Sequence, residues 1–195
     1  MARSDIEGVR REALIQAAIG AIEVEGSLDV TMAAIARRAS VSPALAHHYF
    51  GGKDDLMIAA MRHLLKEFRA GVTARLRAAE TPRQRVGAIV AGCFAPGQFT
   101  AETIAAWLVF YLNARRSPEA ARLLAVYFRR LESNLVAALS PLTGRGAARD
   151  IAAAAGAMID GVWLRQALTP KHAPDAAAAI GAVERFVDAE IARCA

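Results

Sequence analysis

Residues 31–50 read TMAAIARRASVSPALAHHYF, and the fold turns on this stretch. Thr31 is of a type that caps helix starts, and the run after it predicts a short helix ending near Ala39. Ser42-Pro43 is a second start signal, a hydroxyl N-cap followed by proline at the first helical position, where no amide hydrogen is needed. Gly51-Gly52 stops that second helix after Phe50. Two short helices joined by about three residues, with a longer helix ahead to brace them, have the form of a helix-turn-helix. Ile35, Ala36, Val41, Leu45 or Ala46, and Phe50 supply a small apolar core, while His47, His48, Tyr49 and Lys53 supply donors suited to phosphates and base edges. Two short helices of any bundle share this spacing, so spacing alone leaves DNA binding open.

Working outward, the first helix is predicted over about Asp5 to Glu25, with an apolar series Val9, Ala13, Ala17, Gly20 and Val24 and a stop at Gly26. A long helix follows from near Lys53 to about Ala79. Proline and glycine signals divide the remainder into helices at about 82–93, 101–116, 118–139, 146–168 and 175–193, with one break spanning Ser140-Pro141 to Gly146. No alternating apolar and polar run suggests a strand. The expectation is an all-α chain in two parts, an N-terminal three-helix domain over 1–52 carrying the motif and a helical body over 53–195.

Composition bounds the function. The 195 residues carry 24 basic and 19 acidic side chains, net +5, yet residues 1–80 hold 11 and 10 of these and residues 81–195 hold 13 and 9. Bulk charge therefore does not mark a DNA face, which must be local. The most apolar stretch, Ile151 to Leu164, is interrupted by Asp160 and falls short of the roughly 20 residues of a membrane span, so no membrane association is expected. The N-terminus lacks the basic-then-apolar order of a signal peptide, and Cys93 and Cys194 lie far apart, so a reduced, cytoplasmic protein is expected. His47 and His48 point about 100° apart on a helix, and His63 and His172 bring no cysteine cluster, which argues against a metal site. With no paired catalytic carboxylates, nucleophile elbow or phosphate loop, neither enzyme activity nor a cofactor is expected.

At Thr31-x3-Ile35-Ala36-x2-Ala39-x-Val41-Ser42 and His48-Tyr49-Phe50-x2-Lys53-x2-Leu56 the chain resembles the DNA-binding signature of the TetR family of transcriptional regulators. The likeness extends through Arg10-Arg11, Ala106-Trp107-Leu108, Asn134-Leu135-Val136 and Met158 to Arg165 to that family's choline-responsive repressors of glycine betaine synthesis and choline uptake. The resemblance implies that Pro43 to Phe50 is the recognition helix. Pro43, Ala44, Leu45 and His47 then sit where relatives touch base edges, and Thr31, Ser42, His48, Tyr49 and Lys53 where they hold phosphates. It further implies a ligand-binding and dimerisation body, a homodimer through the last two helices, and a palindromic operator. Two positions depart from the pattern. Ser40 stands where most relatives have a turn glycine, and Ala46-His47 replaces the commoner Leu-Tyr. A left-handed residue other than glycine costs about 1 kcal/mol, so Ser40 is tolerable there.

In the body, Trp107, Phe110 and Tyr111 lie at i, i+3 and i+4, and Trp163 follows three residues after Asp160, the one charge between Ile151 and Leu164. Together they can form an aromatic box with one counter-charge, the chemistry that holds a quaternary ammonium such as choline. The same residues can equally be core, with Asp160 paired to Arg116 or Arg165. Phe94, Phe99 and Glu102 are further pocket candidates whose orientation depends on the Pro96-Gly97 break. The last two helices are rich in small residues that permit close approach, either to a second copy or within one chain. A repressor of another pathway, such as efflux, that senses a different cationic or aromatic compound fits the same pattern. Arg129, Arg130 and Asn134 acquire no role from the sequence.

Overall fold

Hydroxyl side chains set where most of the helices begin. In the computed structural model, which describes residues 3–25, 30–169 and 172–194, Thr31, Ser42, Thr81, Thr100 and Ser117 each accept a hydrogen bond from a backbone amide of the following first turn. Proline occupies the first turn after three of them, at Pro43, Pro82 and Pro118. These caps satisfy amides that no helix can satisfy internally. The described helices are α1 (Arg3–Glu25), α2 (Met32–Arg38), α3 (Pro43–Phe50), α4 (Lys53–Ala78), α5 (Pro82–Cys93), α6 (Ala101–Asn113), α7 (Pro118–Thr143), α8 (Arg145–Leu168) and α9 (Ala176–Cys194). The chain is all-α, as expected. The Gly26 stop lies outside the described residues.

Three local expectations need correction. The break at 140–146 shrinks to a single residue: α7 continues through Pro141 to Thr143, and only Gly144, at φ 76°, separates it from α8. Proline is tolerated there because it falls in the last turn. In that turn Ser140 Oγ donates to Val136 O at 2.6 Å and Thr143 Oγ1 to Leu139 O at 3.3 Å, while the carbonyl that loses its amide partner to the proline is that of Ala137. The sixth helix ends at Asn113 rather than 116, its last residues passing into turns. The apolar series expected for α1 is buried only at its middle, where Ala17 and Gly20 are covered. Val9 and Val24 are 65% and 71% exposed, while Leu14, Ala18 and Ile22 are fully buried. This helix is covered by α2, α4 and α6 together, so its buried arc is wider than one stripe.

Two hydrophobic cores share α4. The N-terminal core joins Leu14, Ile22, Ile35, Ala46 and Phe50 to Leu56, Met57 and Met61 at the start of α4 and to Val109 and Phe110 of α6. It thus extends past residue 52 and leans on the body. The second core gathers the rest of the body around Val86, Val90, Leu135, Ile159 and Val183. Within it α4 and α5 approach closely: a Cβ added at Gly92 would meet Val72 Cγ2 at 2.5 Å and its Cα at 3.2 Å. On the outside, Arg83 of α5 donates to both carboxylate oxygens of Asp188 on α9, at 2.6 and 3.0 Å. That pairing raises the Arg83 pKa and lowers that of Asp188. No helix among the described residues is long and apolar enough to cross a membrane.

Candidate nucleic-acid interface and effector pocket

The turn between α2 and α3 is a Schellman motif built on serine. Ser40 has φ 55°, its amide donates to Arg37 O at 3.1 Å, and the Val41 amide donates to Ala36 O at 3.0 Å. Val41 closes the motif by packing on the N-terminal core that holds Ile35 and Ala36. Ser40 is the one residue other than glycine with positive φ among the described residues, so strain is concentrated where the two short helices change direction.

The resulting angle leaves one face of α3 open. Thr31, Ser42, Pro43, Ala44, His47 and His48 are exposed, Leu45, Tyr49 and Lys53 are partly covered, and Ala46 and Phe50 anchor the other face in the core. Each capping hydroxyl still has its own hydrogen free. Ser42 Oγ accepts from the Leu45 amide at 3.2 Å and Thr31 Oγ1 from the Ala34 amide at 3.1 Å, which leaves both O–H groups able to donate to a phosphate. His47 Nδ1 lies 2.9 Å from Gly51 O. Because a carbonyl only accepts, Nδ1 carries the proton in that bond, and Nε2 of the neutral ring is left as an acceptor toward solvent. His47 therefore suits an amino group on a base edge, and the His48 ring stands beside Tyr49 at 5.6 Å between centroids.

Arg11, which the spacing argument overlooked, braces this unit. Its Nη1 donates to Tyr49 O at 2.6 Å and its guanidinium sits 4.6 Å from the centre of the Phe50 ring. It thereby ties α1 to the end of α3. A second tie runs from α2, where the Arg38 guanidinium lies over Gly20. A Cβ at Gly20 would meet Arg38 Nη2 at 2.7 Å, so glycine makes room for the arginine.

In the body the structure divides the predicted aromatic set. Trp107, Tyr111 and Trp163 come together, with ring centres 5.9 Å apart for Trp107–Tyr111 and 6.3 Å for Trp107–Trp163. Phe110 turns away from Asp160 into the N-terminal core, fully buried, and reaches the group only through an edge contact with Trp107 at 6.4 Å. Tyr127 of α7 takes its place, 5.2 Å from Trp107. The signal for it was available: Tyr127, Leu131 and Leu135 form the buried stripe of α7, and a hydroxyl in such a stripe needs a partner. Phe99 packs on Trp163 at 5.1 Å with Phe94 behind it at 5.1 Å, whereas Glu102 is exposed.

Asp160 is the polar centre of this group. Tyr111 Oη donates to its Oδ1 at 3.4 Å and the Tyr127 hydroxyl also bonds the carboxyl, while neither Arg116 nor Arg165 pairs with it. Burial raises the Asp160 pKa to about 6 against the opposing pull of the two hydroxyls. Burial and the neighbouring carboxylate also push the Tyr111 and Tyr127 hydroxyls upward, so both stay protonated and able to donate. Trp163 Nε1 donates to Cys93 O at 3.2 Å and fixes that ring on α5. The gap among Trp107, Tyr111 and Trp163 is too narrow to hold a water molecule, so an occupant must part the rings. No group of three or more His, Cys, Asp or Glu suited to a metal ion occurs among the described residues.

Comparison with known proteins accords with this geometry. Residues 82–192 match the profile described as BetI-type transcriptional repressor, C-terminal, and residues 14–60 that of bacterial regulatory proteins, tetR family. The chain is 54% identical over 187 residues to a Brucella canis protein named HTH-type transcriptional regulator BetI, covering 96% of this chain and 94% of that one. It is 48% identical over 192 residues to the Rhizobium meliloti protein of the same name, covering 98% and 94%. In fold it is similar to a transcriptional regulator from Saccharomonospora viridis solved in complex with choline, with TM-score 0.78 at 22% identity over 91% of this chain and 95% of that one.

Proposed function

Since the chain belongs to the TetR family of DNA-binding transcriptional repressors, with a BetI-type C-terminal domain, we propose that it is a choline-responsive repressor of genes for choline uptake and glycine betaine synthesis. It is a regulator and not an enzyme. The observation that carries the effector reading is a single half-buried carboxylate, Asp160, held by two tyrosine hydroxyls beside Trp107 and Trp163, with no cation among the described residues paired to it. Choline supplies the missing charge. Its trimethylammonium group is large, weakly hydrated and attracted to ring faces by roughly 0.5–2 kcal/mol each.

DNA reading follows from the open face of α3. His47, Pro43, Ala44 and the edge of Leu45 face the major groove, and Thr31, Ser42, His48, Tyr49 and Lys53 hold phosphates on either side. With few bidentate partners on that helix, contact with thymine methyls and DNA shape carry much of the specificity. The division near Gly52 separates reading from sensing, although Phe110 physically joins the two. We place the dimer interface on α8 and α9. Ala153, Ala157, Gly161, Leu164 and Leu168 form an exposed stripe of small and apolar residues on α8, suited to close packing against a two-fold copy. Such a dimer sets two copies of α3 on a palindromic operator in the cytoplasm.

The response is a population shift. Choline enters only when Trp107 and Tyr111 part from Trp163, and α6 then carries the displacement through Phe110 into the core beneath α1 and α4, changing the spacing of the recognition helices. The test is fluorescence anisotropy on the duplex upstream of the protein's own gene and of neighbouring choline-oxidation genes, at fixed salt, with scrambled duplex as control. Choline or a bulky lipophilic cation is titrated in. Specific binding weakened by choline is expected. Release by the bulky cation alone would identify a repressor of another pathway, and binding no tighter than to scrambled DNA on any genomic fragment would remove the repressor reading.

A further inference from the structure

A second hollow, lined in part by Tyr127, carries charge of the opposite sign to Asp160. It is a cavity of about 260 Å3 between α4, α5 and α7, floored by Phe68, Val72, Ile89 and Tyr127. Its rim carries Arg62, Lys66 and Arg69 from successive turns of α4 and Arg130 from α7, and no acidic side chain among the described residues lines it. Arg62 is engaged with Glu119. Lys66, Arg69 and Arg130 enter no ion pair among the described residues. Arg130 and Asn134, to which the sequence assigned nothing, lie one turn apart on the same wall.

This rim repels a quaternary ammonium, so the hollow is not an entrance for choline. Three unpaired cations around an apolar floor match a molecule with an anionic head and an apolar tail. The forked guanidinium groups of Arg69 and Arg130 fit a carboxylate in particular. The volume falls just below the roughly 300–1,000 Å3 usual for small-molecule sites, which limits the tail to medium length. We propose that this groove is a second effector site, for a small amphipathic carboxylate such as a medium-chain fatty acid. The tail lies on Phe68 and Val72 and the head is held by Lys66, Arg69 and Arg130. The site stands independently of the choline reading, but the two share a wall: Tyr127 floors the groove and bonds Asp160 with its hydroxyl.

The test is isothermal titration calorimetry of the full-length protein with sodium decanoate below its micellar concentration, beside 1-decanol and decyltrimethylammonium as neutral and cationic probes of equal tail length. One decanoate per chain is expected, bound at least tenfold tighter than decanol. The K66Q/R69Q/R130Q variant, its fold checked by circular dichroism, is expected to lose at least tenfold in decanoate affinity while keeping its decanol affinity. Decanoate that binds no tighter than decanol, or as tightly to the triple variant as to the unmodified protein, overturns the proposal. The comparison among the three probes decides the matter even if the variant does not fold.

Discussion

Replacing Asp160 by asparagine separates a binding carboxylate from a structural one, because the two roles predict opposite effects on stability. Burial lifts the Asp160 pKa from its ordinary 3.8 to about 6, so the ionised form is disfavoured in the folded protein without ligand. A shift of roughly two units corresponds to about 3 kcal/mol, reduced to about 2 kcal/mol because solvent still reaches part of the group. Since the folded pKa is raised, this group favours the fold fully below about pH 3.8, and that contribution is lost as pH rises through 6. Asp160→Asn removes a buried charge while keeping an acceptor for the tyrosines. Urea titrations are therefore expected to show the ligand-free variant more stable by about 2 kcal/mol at pH 7.5 and little different at pH 4. Choline affinity moves the other way, weakening on the order of 30-fold or more with the loss of the counter-charge. In the unmodified protein that affinity falls by roughly tenfold between pH 7.5 and 5, as the fraction of ionised Asp160 falls, and in the variant it does not change with pH. Calorimetric titrations at the two pH values measure both effects. A variant that is less stable at pH 7.5 and binds choline as before would refute the reasoning and make Asp160 an ordinary structural residue.

Other perturbations probe the scaffold and the DNA face. Lys53→Gln is expected to weaken operator and scrambled DNA alike and to lower the slope of log affinity against log salt by about 2 for the two copies in a dimer, read by anisotropy across a salt series. An unchanged slope would take Lys53 off the phosphate. Gly92→Ala forces a methyl group against Val72, 2.5 Å from its Cγ2, and should destabilise the body by about 1–3 kcal/mol in thermal unfolding, despite the better helix propensity of alanine. Ser40→Gly relieves the left-handed strain at φ 55° but loosens the unfolded chain, for a net gain of about 0.5 kcal/mol in urea unfolding. A loss of stability there would mean that the serine hydroxyl contributes to the turn.

The helix-turn-helix unit was legible in the sequence because its geometry is set by interactions within five residues. Thr31 bonds three residues ahead, Ser42 does the same, and the Val41 amide reaches back to Ala36. Such contacts form wherever those residue types occur in that order, so the two helices, their turn and the left-handed Ser40 follow from local chemistry. Helix number and all-α class were readable for the same reason. The length of α7 was not, because a proline one turn before a glycine signals a break, yet here it falls in the last turn and only Gly144 leaves the helix.

The candidate effector site was decided by tertiary structure. Helical spacing correctly put Trp107, Phe110 and Tyr111 near one another on α6, but α6 lies between two cores, and a rotation of one residue's width determines which core each ring enters. Phe110 enters the N-terminal one, while Trp107 and Tyr111 face α8. Tyr127 arrives from a helix whose sequence holds no trace of Asp160, and only the packing of α7 against α8 brings its hydroxyl to that carboxyl. Composition and periodicity specify which residues need burial. Which of them meet is determined by the crossing of helices remote in sequence, where packing of side-chain volumes, rather than local propensity, selects the neighbour.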